Sequence, residues 1–355
     1  MKNLITLYKS VLLAVATFAL ASCSIDDVNN EANETNNKHG NIVISTHIVP
    51  PIGEVGNEGR AIDTANENVI SNLHILAFNS AGEMVTNGYI DYLTGSQHTF
   101  TMNLGVERNG QRVTLYGIAN IGNANIFDDH KLTLTEIKEF YVRASDATDL
   151  MNGVYTIYTE NDEVFCKVEN EIAPILVSEE KKVTVNKDAD THVTLDMERQ
   201  CAKIILNIYA TGITIDNYQL CHIPTTTNMT PIGTSLSARE YTDMPKAMVA
   251  EGDILTGITY YVYENYNEPI KNITLPTQRS YKHAPKDATY INVHGTYSSG
   301  VVLSSTFRVY PGGVNSIGEQ DLTQFSLERN HNYICNVNIN GVVRGDDRVI
   351  NVYAE

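Results

Sequence analysis

The residue with the plainest chemical assignment is Cys23. It follows Leu20-Ala21-Ser22 and closes a leader in which Lys2 and Lys9 flank a polar start and residues 11–20 form a short apolar stretch. That stretch is too short to cross a bilayer as a helix. Small residues followed by cysteine look like a bacterial lipobox, with cleavage before Cys23 and diacylation of its thiol; such chains anchor a protein without spanning the membrane. The other reading is an ordinary secretory signal with an incidental cysteine. The second candidate is Arg60. Residues 41–49 alternate as a strand, with Ile42, Ile44 and Ile48 on one face and Thr46 between them. Pro50-Pro51 ends pairing, because proline has no N–H to donate. A loop with Gly53, Gly56 and Gly59 then finishes on Arg60, next to Ala61. An apolar strand tethered by a flexible loop with a basic residue at its end is open to proteolysis, so the strand reads as a removable piece. An exposed loop arginine without that role is the alternative.

Catalytic constellations are not found. There is no GxGxxG, P-loop, HExxH or GxSxG pattern. The ten histidines are scattered singly; His74, His192 and His222 fall in strand patterns, where an exposed or hydrogen-bonded structural histidine is expected. Asp128-Asp129 and Asp346-Asp347 sit in turn-like contexts, and glycoside hydrolysis needs two carboxylates that meet in space. Besides Cys23, the cysteines are Cys166, Cys201, Cys221 and Cys335, with no C-x-x-C spacing for a metal. Four cysteines in an exported chain allow three pairings; buried free thiols within strands are the other reading. Arg344-Gly345-Asp346 spells an integrin-binding tripeptide and suits a plain turn before the last strand. Asp63-Thr64-Ala65 fits a short O-glycosylation signal and is equally ordinary loop sequence. The expectation is no catalytic residue, no metal and no cofactor.

Positioning these residues falls to strands. The chain has 355 residues, 42% hydrophobic, with 20 Tyr and no Trp, a composition that leans toward β structure; its length suggests two domains. The formal net charge of −17, from 25 basic and 42 acidic residues, argues against nucleic acid, which demands a basic face. Residues 24–40 are polar, acidic and Asn-rich and cannot bury enough apolar surface to fold. Period-2 patterns recur at 73–77, 98–104, 113–119, 153–158, 164–168, 173–177, 181–186 and 192–195, and residues 79–82 read as a turn. Thr133 and Glu136 have capping-box spacing, predicting a helix over 134–144 with Leu134, Ile137, Tyr141 and Val142 as its buried stripe. A shift near Asp196 opens a second set of strands at 201–210, 218–223, 258–263, 289–297, 301–309, 333–342 and 348–354. The fold class expected is all-β, as β-sandwiches with one short helix. The divisions are a leader at 1–22, a tether at 23–40, and domains at 41–196 and 197–355.

The landmarks Tyr260-Tyr261-Val262-Tyr263-Glu264-Asn265, Lys282 with Ala284-Pro285, Ala288-Thr289-Tyr290-Ile291, Tyr310-Pro311-Gly312-Gly313, Glu328-Arg329-Asn330-His331-Asn332-Tyr333 and Asn338-Ile339-Asn340-Gly341 follow one another in the second half. The first half adds Leu115-Tyr116-Gly117-Ile118-Ala119-Asn120 and the junction Met197-Glu198-Arg199-Gln200-Cys201-Ala202-Lys203-Ile204. In this order, and with the lipobox, the chain resembles the fimbrillin-like lipoproteins of Bacteroidales, the FimA/Mfa-like subunits of type V pili. The resemblance implies two tandem transthyretin-like β-sandwich domains and delivery to the outer membrane and cell surface through lipid on Cys23. It implies cutting by a trypsin-like protease after an arginine behind the first strand, which Arg60 matches. Assembly would follow when the C-terminal strand of a neighbouring subunit fills the vacated groove. Asp26-Asp27 resembles the acidic surface-display signal of such lipoproteins, or is simply part of an acidic linker. About a dozen residues follow Gly341-Val342, short of a stalk subunit's appendage, which leaves a tip or accessory role open.

The physics of such an exchange is simple. Burying Ile42, Ile44 and Ile48 is worth about 1.5–3 kcal/mol each, comparable in sum to a domain's whole stability of about 5–15 kcal/mol. The tail places Ile350, Val352 and Ala354 on one face and reads either as a donor strand or as the last strand of its own domain. The partners expected are other pilus subunits, the outer membrane, the processing protease and a host or bacterial surface ligand. A surface glycan-binding lipoprotein, or a pilus anchor that keeps its lipid, is the competing expectation; the absence of Trp weighs against sugar stacking.

Overall fold

A computed structural model describes residues 40–53, 69–91, 93, 98–106, 110–121, 127, 131–139, 141–143, 155–160, 163–168, 174–186, 188–230, 240–298, 302–340 and 346–354. Among them the chain is all-β, with one short α-helix, α1 (Leu134–Glu139), and one 3-10 turn at Pro276–Gln278. The strands of the first half are β1 (Gly40–Ile48), β2 (Leu73–Phe78), β3 (Met84–Ile90), β4 (Thr99–Val106), β5 (Gln111–Ala119), β6 (Tyr141–Arg143), β7 (Tyr155–Glu160), β8 (Glu163–Val168), β9 (Leu176–Ser178), β10 (Lys181–Val185) and β11 (Thr191–Arg199). Eight of them form one sheet in the order β3-β2-β5-β9-β11-β1-β4, with β10 also on β5.

Alternation explains only part of this sheet. Leu73, Ile75 and Ala77 of β2 enter one core with Ile42, Ile44, Phe100, Met102, Leu115, Leu195 and Met197. Leu76 and Phe78 enter a second core from the other face, with Tyr116, Ile118, Phe127 and Ile137. All six residues of β2 are therefore buried, as expected of a strand covered on both sides. The turn between β2 and β3 is held by the Asn79 side chain, whose oxygen accepts from the N–H groups of Ala81 and Glu83.

The helix is shorter than its sequence suggests. Its capping box is present: the Glu136 carboxylate accepts from Thr133 N–H at 2.6 Å, and Thr133 Oγ1 accepts from Glu136 N–H at 3.2 Å. Ile137 is buried. The helix stops at Glu139, and Tyr141 and Val142, expected on its stripe, lie in β6. There they pair with β8 on one side and with a strand of the second half, residues Thr226–Asn228, on the other. Tyr and Val favour strands once partners flank them, and the pairing overrides the helical period.

The strand that spans the composition shift runs unbroken to Arg199, and the chain bends at Gln200. The second half then contains β12 (Cys201–Thr211), β13 (Thr214–Cys221), β14 (Ile223–Pro224), β15 (Thr226–Asn228), β16 (Tyr241–Thr242), β17 (Ala247–Met248), β18 (Ile258–Tyr263), β19 (Tyr290–Ser298), β20 (Val302–Val309), β21 (Asn332–Asn340) and β22 (Val349–Ala354). Two sheets, β18-β12-β21 and β17-β13-β19-β20-β22, supply Ile204, Leu206, Val262, Leu220, Ile291, Val293, Phe307, Val337 and Ile339 to the larger core.

Candidate functional site

The first strand lies inside the large sheet, between β11 and β4. It pairs parallel with β11, from Ile42 opposite Thr191 to Ile48 opposite Met197, and antiparallel with β4, from Gly40 opposite Val106 to Ser45 opposite Thr99. Among the described pairings, β1 alone joins β4 to the sheet. The inward face is as the alternation predicts. Ile42 and Ile44 are wholly buried, Thr46 is 3% exposed, and Ile48 packs against the same core half-buried. Thr46 closes the strand with two hydrogen bonds to one residue: its N–H donates to His98 O at 2.9 Å, and its Oγ1 accepts from His98 N–H at 3.1 Å. The outward face carries three polar residues beside the half-buried Val43. Asn41 donates to Asp190, Ser45 meets Thr99, and His47 Nδ1 lies 3.2 Å from Asp196 Oδ1.

Beyond the strand, the chain crosses onto the second half. Val49 N–H donates to Met197 O, Ile52 N–H to Asn330 O, and Asn332 N–H to Ile52 O, so Ile52 forms a parallel bridge with His331. Asn330 Nδ2 faces the carbonyls of Val49 and Pro50 at 3.4–3.5 Å. Gly53 has φ +92°, and a Cβ there would stand 2.4 Å from Asn332 O; only glycine allows this approach.

The receiving segment is fixed by a buried polar cluster. Arg329 donates to both carboxylate oxygens of Glu264 at 2.7 Å and to the carbonyls of Met229 and Asn228. Both side chains are almost fully buried, at 6% and 2% exposure. Burial opposes the charge on Arg329, yet the hydrogen bonds and charge of Glu264 hold its pKa above the usual arginine value. Arg199 donates to Asn332 Oδ1 at 2.7 Å, Asn330 N–H donates to Cys201 O, and Lys203 N–H donates to His331 O. Burial, with Glu179 nearby, pushes the half-buried Glu198 carboxyl above its ordinary range. These residues stand among the sequence landmarks, but no motif or spacing shows their role. The signal available was the density of polar and charged residues between buried strand patterns at 197–203 and 328–332.

The other expected residues are scattered. Cys23, Arg60 and Ala61 lie outside the described residues, as do Asp63-Thr64-Ala65, Asp128-Asp129 and Arg344-Gly345. The tail forms β22, antiparallel to β20, at the end of its own sheet. Thr306 pairs with Asn351 and Phe307 with Val349, so Ile350 is the extra residue of a bulge; Val352 pairs with Ser305 and Ala354 with Leu303. Asp346 is held by Arg348 and Asp347 by Lys282, so this carboxylate pair is engaged with cations. Cys221 and Cys335 are free thiols and Cys201 is buried, and burial pushes Cys221 up to about 12 and Cys335 up to about 11. Cys166 falls in β8. His74 departs from expectation: it is buried, neither ring nitrogen has a hydrogen-bond partner, and burial lowers its pKa to about 3. Among the described residues no group of three or more metal-ligating side chains converges, and no helix is long and apolar enough to cross a membrane.

The fold is shared with candidate cell adhesion proteins. A candidate cell adhesion protein from Parabacteroides distasonis is 14% identical, with a TM-score of 0.59, covering 90% of this chain and 96% of its own. One from Bacteroides eggerthii is 16% identical, with a TM-score of 0.54, covering 90% and 97%. The tip fimbrial protein Mfa3 from Porphyromonas gingivalis, truncated at its C-terminus, is 13% identical, with a TM-score of 0.48, covering 89% and 98%. Residues 260–337 match the family described as "Domain of unknown function (DUF4906)". No curated protein matches the chain in sequence. The two neighbours with TM-scores above 0.5 thus show a fold that the chain shares with candidate cell adhesion proteins.

Proposed function

We propose that the chain is a subunit of a type V fimbrium, in its shaft or at its tip, assembled by strand exchange. In this reading it comprises two tandem transthyretin-like sandwiches, 41–196 and 197–355, and is exported as an outer-membrane lipoprotein through Cys23. A protease cuts between Arg60 and Ala61, and a strand of a neighbouring subunit takes the place of β1. The observation that carries the reading is the position of β1 between β4 and β11. Its loss bares the facing edges of two strands, together with the slot occupied by the fully buried Ile42 and Ile44. Unpaired edges beside an apolar groove bind extended peptide strongly. The likeness of fold to candidate cell adhesion proteins and the order of the sequence landmarks support a surface role, with a host or bacterial ligand as the outward partner. No catalytic role is assigned.

Electrophoresis of cell-surface material, with and without boiling, tests the assembly. Noncovalent polymers trapped by slow strand release run as a ladder that collapses to monomer on boiling. A single monomer band before and after heating overturns the reading.

A further inference from the structure

The seat of β1 also restricts what can replace it, given the exchange proposed above. We infer that the incoming strand carries apolar-x-apolar-x-hydroxyl-x-apolar, with glycine five residues after the last apolar position, and that it comes from a partner other than the tail of a second copy of this chain.

Each position of the pattern follows from a contact. The seats of Ile42 and Ile44 are closed to solvent and take only apolar side chains. The seat of Thr46 is different, because His98 N–H donates to the threonine hydroxyl while Thr46 N–H donates back to His98 O. An apolar residue there satisfies the second bond and removes the acceptor of the first. Ile48 closes the apolar face. The glycine is imposed by the junction: Ile52 is drawn onto Asn330 and Asn332 by two main-chain bonds, which brings the next residue against Asn332 O, where any Cβ would stand at 2.4 Å. That oxygen belongs to main chain fixed by the Arg199 and Arg329 cluster and cannot yield as a flexible side chain would.

The chain's own tail fits less well. Laying Ile350 and Val352 on the seats of Ile42 and Ile44 puts Ala354 on the seat of Thr46, where it offers no oxygen. In this chain Val352 and Ala354 already pair with Ser305 and Leu303 of β20.

The test uses the full chain with a site for a specific protease placed within residues 54–59, folded first and then nicked. Labelled peptides compete for the seat, and uptake is read on native gels. The arms are residues 41–53, the same peptide with Thr46→Val, the same with Gly53→Val, and residues 348–355. The expected result is uptake of the first, with Thr46→Val weaker by about tenfold for a lost buried acceptor. Gly53→Val and the tail peptide should likewise fall well below the first. Equal uptake of the first three overturns the pattern, and tail uptake equal to the first overturns the choice of partner. Failure of the 41–53 peptide itself to enter overturns strand exchange. In the intact chain, Thr46→Ser should keep the amide protection of β1 and Thr46→Val should lower it; equal protection also counts against the hydroxyl seat.

Discussion

Ile44→Ala is the sharpest probe of how firmly β1 is held. The side chain has no exposed surface, and its ladder partners are Val193 on β11 and Phe100 on β4, both buried. Truncating it leaves a cavity on the core face of the sheet, and the pairing of β1 to both neighbours holds its backbone in place, so the site collapses little to fill it. Buried isoleucine to alanine costs about 2–5 kcal/mol, and a rigid seat of this kind falls near the middle, at about 3 kcal/mol. Val43, one residue along on the opposite face, is half-buried, and Val43→Ala should cost about 1 kcal/mol or less. A difference of about 2 kcal/mol is more than tenfold in the opening equilibrium of the strand. A chain of this length is not read safely from one unfolding curve, so the assay is native-state hydrogen exchange on the amides of β1 and β4. Protection should fall at least tenfold further in Ile44→Ala than in Val43→Ala. If the two variants differ by less than threefold, β1 is not held by its inward face and the packing argument is wrong.

Arg329→Met should destabilise the chain by about 3–5 kcal/mol, because it strands the Glu264 carboxylate in a dry site. Adding Glu264→Gln should recover part of that loss in thermal denaturation, whereas an additive double variant would contradict a coupled pair. His74 predicts a pH dependence. Its folded pKa of about 3 lies below the ordinary 6.5, so the unfolded chain binds the extra proton first. Its contribution is whole above pH 6.5 and is lost as pH falls toward 3. His74→Phe should flatten that part of the stability-versus-pH curve measured by denaturant titration; an unchanged slope would show that other groups set it.

Much of the fold was legible from local pattern. Ile42, Ile44 and Ile48 face the core as their spacing required, and Thr133 with Glu136 caps the helix. What failed was whatever depended on distant partners. Tyr141 and Val142 read as helix because strand 226–228, which claims them, lies far along the chain. The full burial of β2 was hidden because period-2 spacing of Leu73, Ile75 and Ala77 says nothing about a second core covering Leu76 and Phe78. Of the site, the apolar seat was readable, but the clamp was not. No spacing rule shows that Arg329 meets Glu264, or that Asn330 and Asn332 grip Ile52, since buried polar pairs have no period. Gly53 read as a loop glycine, and only the approach of Asn332 O shows why a larger residue fails.

The central claim is that β1 is surrendered in assembly. N-terminal sequencing of fimbrial material shed from the cell surface tests it most directly. The account predicts a mature start at Ala61, after loss of the segment that carries Ile42, Ile44 and Ile48; polymers whose subunits all begin at Cys23 would contradict it.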